Sequence, residues 1–122
     1  MDKYVGDYIL KSDENFSLYE FLAENNKFDS WQIVAVFYSA LCLAKAWLYN
    51  NGVAKNSVNS HDGIKFWLSN LKEAKNLNVL RYYEKLYFDS RDARYSIKKI
   101  SKARIEHALT NYYKVKDLLQ VR

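Results

Sequence analysis

Trp31-Gln32-Ile33-Val34-Ala35-Val36-Phe37-Tyr38-Ser39-Ala40-Leu41-Cys42-Leu43-Ala44-Lys45-Ala46-Trp47-Leu48-Tyr49 is the stretch that decides the fold. Only Gln32, Ser39 and Lys45 in it are clearly polar. A surface helix carries one apolar stripe, whereas a helix apolar nearly all round is buried. The start is marked by Asp29, placed to cap free N–H groups, with Gln32 three residues on as in a capping box. Asn50-Asn51-Gly52 suits a left-handed C-terminal cap. A membrane-spanning helix needs about 20 apolar residues. Here Ser39 and Lys45 interrupt the run, so we expect a central core helix and no membrane partner. One bundle core uses one side of such a helix. Its other side then meets either more of this chain or a second copy, and the second choice predicts a homodimer.

Working outward, 122 residues suit a single domain over residues 1–122 with one substantial core. Eleven tyrosines and 16% aromatics exclude a disordered chain. With no proline and three glycines, helix breakers are scarce. Cys42 has no partner for an intrachain disulfide and sits in the apolar helix, as a small core residue would. That, with an N-terminus lacking the basic-then-apolar pattern of a signal peptide, predicts a cytoplasmic location.

Before the central helix, Tyr4, Val5, Tyr8, Ile9, Phe16, Leu18, Tyr19, Phe21 and Leu22 fall at helical spacings. They fit one amphipathic helix, or two broken near Ser12-Asp13. After it, Asn56-Ser57-Val58-Asn59-Ser60 marks a loop. Ile64, Trp67, Leu68 and Leu71 follow at i, i+3, i+4 and i+7, predicting a short helix capped by Ser60 or Asn59. His61 then lies in its first turn, where the positive helix end disfavours protonation. Residues 75–78 read as a polar break. Val79, Leu80, Tyr83, Leu86, Tyr87 and Ser90 share the next helical face, which runs on to Tyr95. Residues 96–100 are a connector, and Ser101 caps a last helix striped by Ile105, Ala108, Leu109, Tyr112, Val115 and Leu119. The expectation is an all-α antiparallel bundle of four to five helices.

Net charge is +5, but residues 91–122 alone carry nine Lys/Arg against three Asp/Glu. That is either a footprint for nucleic acid or an acidic partner, or a solvated face. Within it, Ser90-Arg91-Asp92-Ala93-Arg94-Tyr95 is the most informative cluster. Arg91 and Arg94 are neighbours on a helix face, and two guanidinium groups can grip one phosphate. The alternative is pairing with carboxylates across the bundle. Lys98, Lys99, Lys102 and Arg104 extend the phosphate-binding candidates. His107 lies three residues after Arg104, and His61 is the other candidate base. Tyr82, Tyr83 and Tyr87 are assigned to the core rather than to base stacking. Two histidines and one cysteine lie far apart, and no phosphate-cradling glycine loop is present. We therefore expect no metal and no cofactor.

Phe37 through Ala46, then Ser60-His61, then Tyr83, Leu86, Tyr87, Ser90, Arg91, Ala93, Arg94 and Tyr95, and a closing helix after Ile100-Ser101, together resemble HEPN-domain proteins. The resemblance spans about residues 12–120. It implies a dimerising four- to five-helix bundle that acts on or binds RNA or nucleotides. It also implies a toxin–antitoxin, phage-defence or CRISPR-linked setting, in some cases beside a nucleotidyltransferase partner. The family's ribonuclease branch uses an Arg followed four to six residues on by His. This sequence departs from that spacing: Arg91 and Arg94 have no such His, and Arg104 precedes His107 by three. Three functions follow as expectations. The first is a homodimer that binds RNA, a nucleotide or a protein without catalysis. The second is a divergent metal-independent ribonuclease using His61, Arg91, Arg94 and His107. The third is a protein-interaction module such as an antitoxin or a phage-encoded inhibitor of host defence.

Overall fold

The computed structural model describes residues 3–97 and 99–120. They form six helices and, among the described residues, no strand. These are α1 (Lys3–Glu24), α2 (Asp29–Asn50), α3 (His61–Asn70), α4 (Lys72–Leu77), α5 (Leu80–Tyr95) and α6 (Lys102–Leu119), with a 3₁₀ turn at Lys55–Val58 before α3.

Fourteen of the 22 residues of α2 are buried, as its all-round apolar pattern requires. The helix is long and apolar enough to cross a membrane, yet 78% of that apolar window is buried within the fold. Helix α1 covers one flank, and α5 and α6 cover the other. The second surface that α2 needs is therefore supplied by the chain itself. Consecutive long helices run antiparallel. Tyr8 of α1 meets Tyr49 near the end of α2, and Ser12 meets Ser39 at mid-length. Likewise Asp89 and Asp92 of α5 meet His107 and Arg104 of α6.

Several local expectations are settled or corrected. Of the two alternatives for the first stretch the single helix holds, because α1 is continuous through Ser12-Asp13. Ser12 Oγ instead donates to the Ser39 carbonyl at 2.9 Å, and Ser39 Oγ lies 3.0 Å from the Tyr112 hydroxyl. These three residues tie α1, α2 and α6 together in the core. Asp29 is not an N-cap. The helix already includes it, and Phe28 occupies the cap position with φ 52° and no side-chain cap. Asp29 acts instead as a negative charge in the first turn, facing the positive helix end. Residues 75–78 are not merely a break, since α4 runs through Leu77 and ends at left-handed Asn78. The total is six helices rather than four or five.

Other signals hold. Gly52 takes φ 89°, and Val53 N–H donates to the Leu48 carbonyl, closing α2 with a left-handed cap. Ser60 Oγ accepts from Gly63 N–H and Ser101 Oγ from Arg104 N–H, so both predicted serine caps form. Cys42 is buried, and burial pushes its thiol up to about 11, which leaves it unreactive.

Candidate functional site

Helix α5 separates two polar clusters. Arg91 and Arg94 follow Tyr87 by four and seven residues, so all three share one face of the helix. Asp89 follows Tyr87 by two, roughly 200° around. The sequence thus sends Arg91 and Arg94 to one side of α5 and Asp89 and Asp92 to the other.

On the first side, Ser60 caps α3 and holds His61 at its start. Tyr87 stacks flat on the imidazole, with ring centroids 3.6 Å apart and planes 6° from parallel. His61 Nδ1 lies 3.1 Å from the Tyr83 hydroxyl. Tyr83 is fully buried, and burial, with the nearby phenols of Tyr87 and Tyr38, pushes its pKa far up, so it keeps its proton. Among the described residues that proton has one acceptor, His61 Nδ1. Were Nδ1 the donor, a buried hydroxyl hydrogen would be left unsatisfied, at about 1–3 kcal/mol. The phenol therefore donates, and the ring hydrogen of neutral His61 sits on Nε2. Burial lowers the His61 pKa, and Lys65 and Arg94 act the same way against Asp62 and Glu84. The expected neutral imidazole is present, but desolvation rather than the helix end is its principal cause.

His61, Tyr87, Arg91, Arg94 and Tyr95 line one polar cleft of about 530 Å³. Arg94 reaches, among the described residues, only neutral acceptors: the Ser90 carbonyl at 3.4 Å and the Tyr38 hydroxyl at 3.5 Å. Among the described residues, neither Arg91 nor Arg94 pairs with a carboxylate.

The second cluster is closed on itself. Asp89, 4% exposed, accepts from Arg104 Nε at 2.7 Å and from His107 Nδ1 at 2.8 Å. Arg104 Nη2 also donates to Asp92 at 2.6 Å. Hydrogen bonds to Asp89 and then Asp92 push the Arg104 pKa further up. With Nδ1 donating to Asp89, His107 Nε2 carries the lone pair, 3.4 Å from Asn111 Nδ2.

The structure thus brings His61, Arg91 and Arg94 together and puts Arg104 and His107 elsewhere. Lys99 lines a hollow with Arg104 and Asp92, and Lys102 lines another with Asp29 and Glu106. Lys98 lies outside the described residues. The basic third is therefore divided among several surfaces. Tyr83 fills the core as expected, Tyr82 and Tyr87 pack half-buried against it, and Tyr87 also lines the cleft. Tyr38 and Trp31 carried no distinguishing signal, since each reads as one more apolar residue of α2. Among the described residues, no group of three or more His, Cys, Asp or Glu is placed to hold a metal ion.

Comparisons with models of known families, with curated proteins and with solved structures find no match to this chain.

Proposed function

We propose that the chain binds RNA by its phosphate backbone, in the cleft between the start of α3 and the last turns of α5, without cleaving it. The observation that carries this is the pair Arg91 and Arg94, one helical turn apart and, among the described residues, free of carboxylate partners, beside a neutral His61 that lines the same cleft. Two guanidinium forks and one neutral donor suit a phosphate diester. Resemblance to HEPN-domain proteins supports the same function, and with it a toxin–antitoxin or phage-defence setting. The resemblance also implies a pair of chains. His61, Arg91 and Arg94 all belong to one chain.

Cleavage is less well supported. Metal-free cleavage needs a base for the 2′-hydroxyl proton and a cation for the developing phosphorane charge. His61 has its proton on Nε2 and its other nitrogen occupied. His107 has its Nε2 lone pair beside Asn111 Nδ2 and stands across α5 from the unpaired arginines, next to an Arg104 already neutralised by two aspartates.

Salt titration of RNA binding tests this. Each phosphate neutralised on a single strand contributes a slope of about −0.7 in log K against log salt. Arg91→Ala and Arg94→Ala should each weaken binding and flatten the slope by about that amount. Lys114→Ala, away from the cleft, should change neither. Salt-independent binding, or RNA shortened by the intact chain but not by Arg94→Ala, would overturn the proposal.

A further inference from the structure

The His61 cleft is not isolated. Arg94 and Tyr95 also wall a second hollow of about 400 Å³, completed by Ser30, Trp31, Val34 and Ala93. Its chemistry is the reverse of the first. Val34 and Ala93 are buried and give an apolar floor, while Trp31 and Tyr95 stand 59% and 75% exposed. No carboxylate lines either hollow. A phosphate-gripping cleft thus runs through one shared arginine into an apolar hollow bounded by two uncovered aromatic rings.

Trp31 and Tyr95 leave most of their area uncovered by their own fold. Core packing does not explain Trp31, because the buried residues of α2 begin at Gln32. A ligand that joins an anionic group to a flat apolar ring matches both hollows at once. In a nucleotide unit the phosphate and base are separated by one sugar. The hollow also falls within the roughly 300–1,000 Å³ typical of small-ligand sites.

We propose that this hollow takes a nucleobase of the same strand whose phosphate Arg91 and Arg94 hold, stacked against Trp31 and Tyr95. The inference rests on the RNA-binding function proposed above and specifies it: the ligand is single-stranded. A duplex keeps its base faces inside its own stack and cannot offer one to the hollow, whereas a phosphate grip alone would accept either form.

The test uses three probes of equal length against the intact chain: a mixed-sequence single-stranded RNA, a ribose-phosphate oligomer without bases, and an RNA duplex. Binding is followed by calorimetry and by tryptophan fluorescence. Trp31 is the most exposed of the three tryptophans, so base stacking should quench its emission. Single-stranded RNA should bind about tenfold or more tightly than the baseless oligomer or the duplex, and only it should quench. Trp31→Ala should cost about tenfold for RNA and nothing for the baseless oligomer, whereas Tyr95→Ala, whose ring also borders the phosphate cleft, should cost more for RNA than for the oligomer. Trp31→Phe and Tyr95→Phe should retain most of the affinity. Equal affinity for all three probes, still dependent on Arg91 and Arg94, would remove the base subsite and leave phosphate binding standing. Binding to none of them would remove both. If Trp31→Ala instead dissolved a dimer in sedimentation while RNA affinity stayed constant, the hollow would be a seam between chains and the inference would fall.

Discussion

At the scale of single residues, the cleft is set by which groups keep their protons and which charges stay unpaired. Tyr83 keeps its proton through burial and donates it in a hydrogen bond to His61 Nδ1. His61 is in turn pressed against Tyr87 and is neutral in the fold. This arrangement predicts a pH dependence of stability. The folded His61 pKa lies below the ordinary 6.5, so the unfolded chain takes the proton first as pH falls. The stability that neutral His61 supports is complete above 6.5 and is lost as pH drops from there through the lowered folded value. His61→Gln should flatten that part of the profile in urea unfolding followed across the window. Identical profiles for the two proteins would show that the imidazole is not desolvated as described. The sequence named His61, Arg91 and Arg94 as candidates, because residue type and helical spacing are local properties. It did not name the Tyr83 partnership, because nothing local tells which of eleven tyrosines has its hydroxyl beneath a histidine 22 positions away.

At the scale of elements, the turn into α3 is where backbone placement and site placement meet. Gly63 sits in the first turn of α3, and a Cβ there would run into the Ser57 backbone carbonyl. A backbone carbonyl cannot swing aside as the end of a side chain can, so Gly63→Ala should destabilise by about 1–3 kcal/mol. It should also weaken RNA binding by displacing His61. Gly6 is the contrast. It lies within α1 with nothing within 4 Å of a built Cβ. Gly6→Ala should stabilise by about 0.5–1 kcal/mol and leave binding unchanged. Urea midpoints of the two variants should therefore move in opposite directions, and a shared direction would contradict the packing given for Gly63. Helix positions were largely legible from apolar spacing and from the Ser60, Ser101 and Gly52 caps. The failures have separate causes. Ser12 and Asp29 were assigned to local backbone, yet Ser12 is engaged across the bundle with Ser39, and Phe28 rather than Asp29 turns the chain into α2. Helix α4 is six residues long, too short to display a period.

At the scale of the whole molecule, α2 is enclosed by α1, α5 and α6, and the cleft draws its side chains from α3 and α5 of one chain. Each chain should thus bind one RNA segment whether it is single or paired. Calorimetric stoichiometry, set beside sedimentation at the same concentration, checks this. Half a site per chain would mean that two copies build the cleft jointly. The +5 net charge should speed encounter with a polyanion, but charge alone does not choose the surface. Asp89 and Asp92 take Arg104 out of service, while Arg91 and Arg94 remain available two and five residues after Asp89.

The sequence by itself determined an all-helical chain built round one apolar rod, its main helix boundaries, and the short list of arginines and histidines worth testing. Those follow from periodicity and capping, which act over a few residues. Only the tertiary structure decided that α1 covers the rod's second flank. It alone brought His61 to Arg91 and Arg94 rather than to Arg104, and left Trp31 and Tyr95 uncovered beside them. Such outcomes depend on how helices distant in sequence pack, and packing assigns partners by shape and burial that no local spacing records.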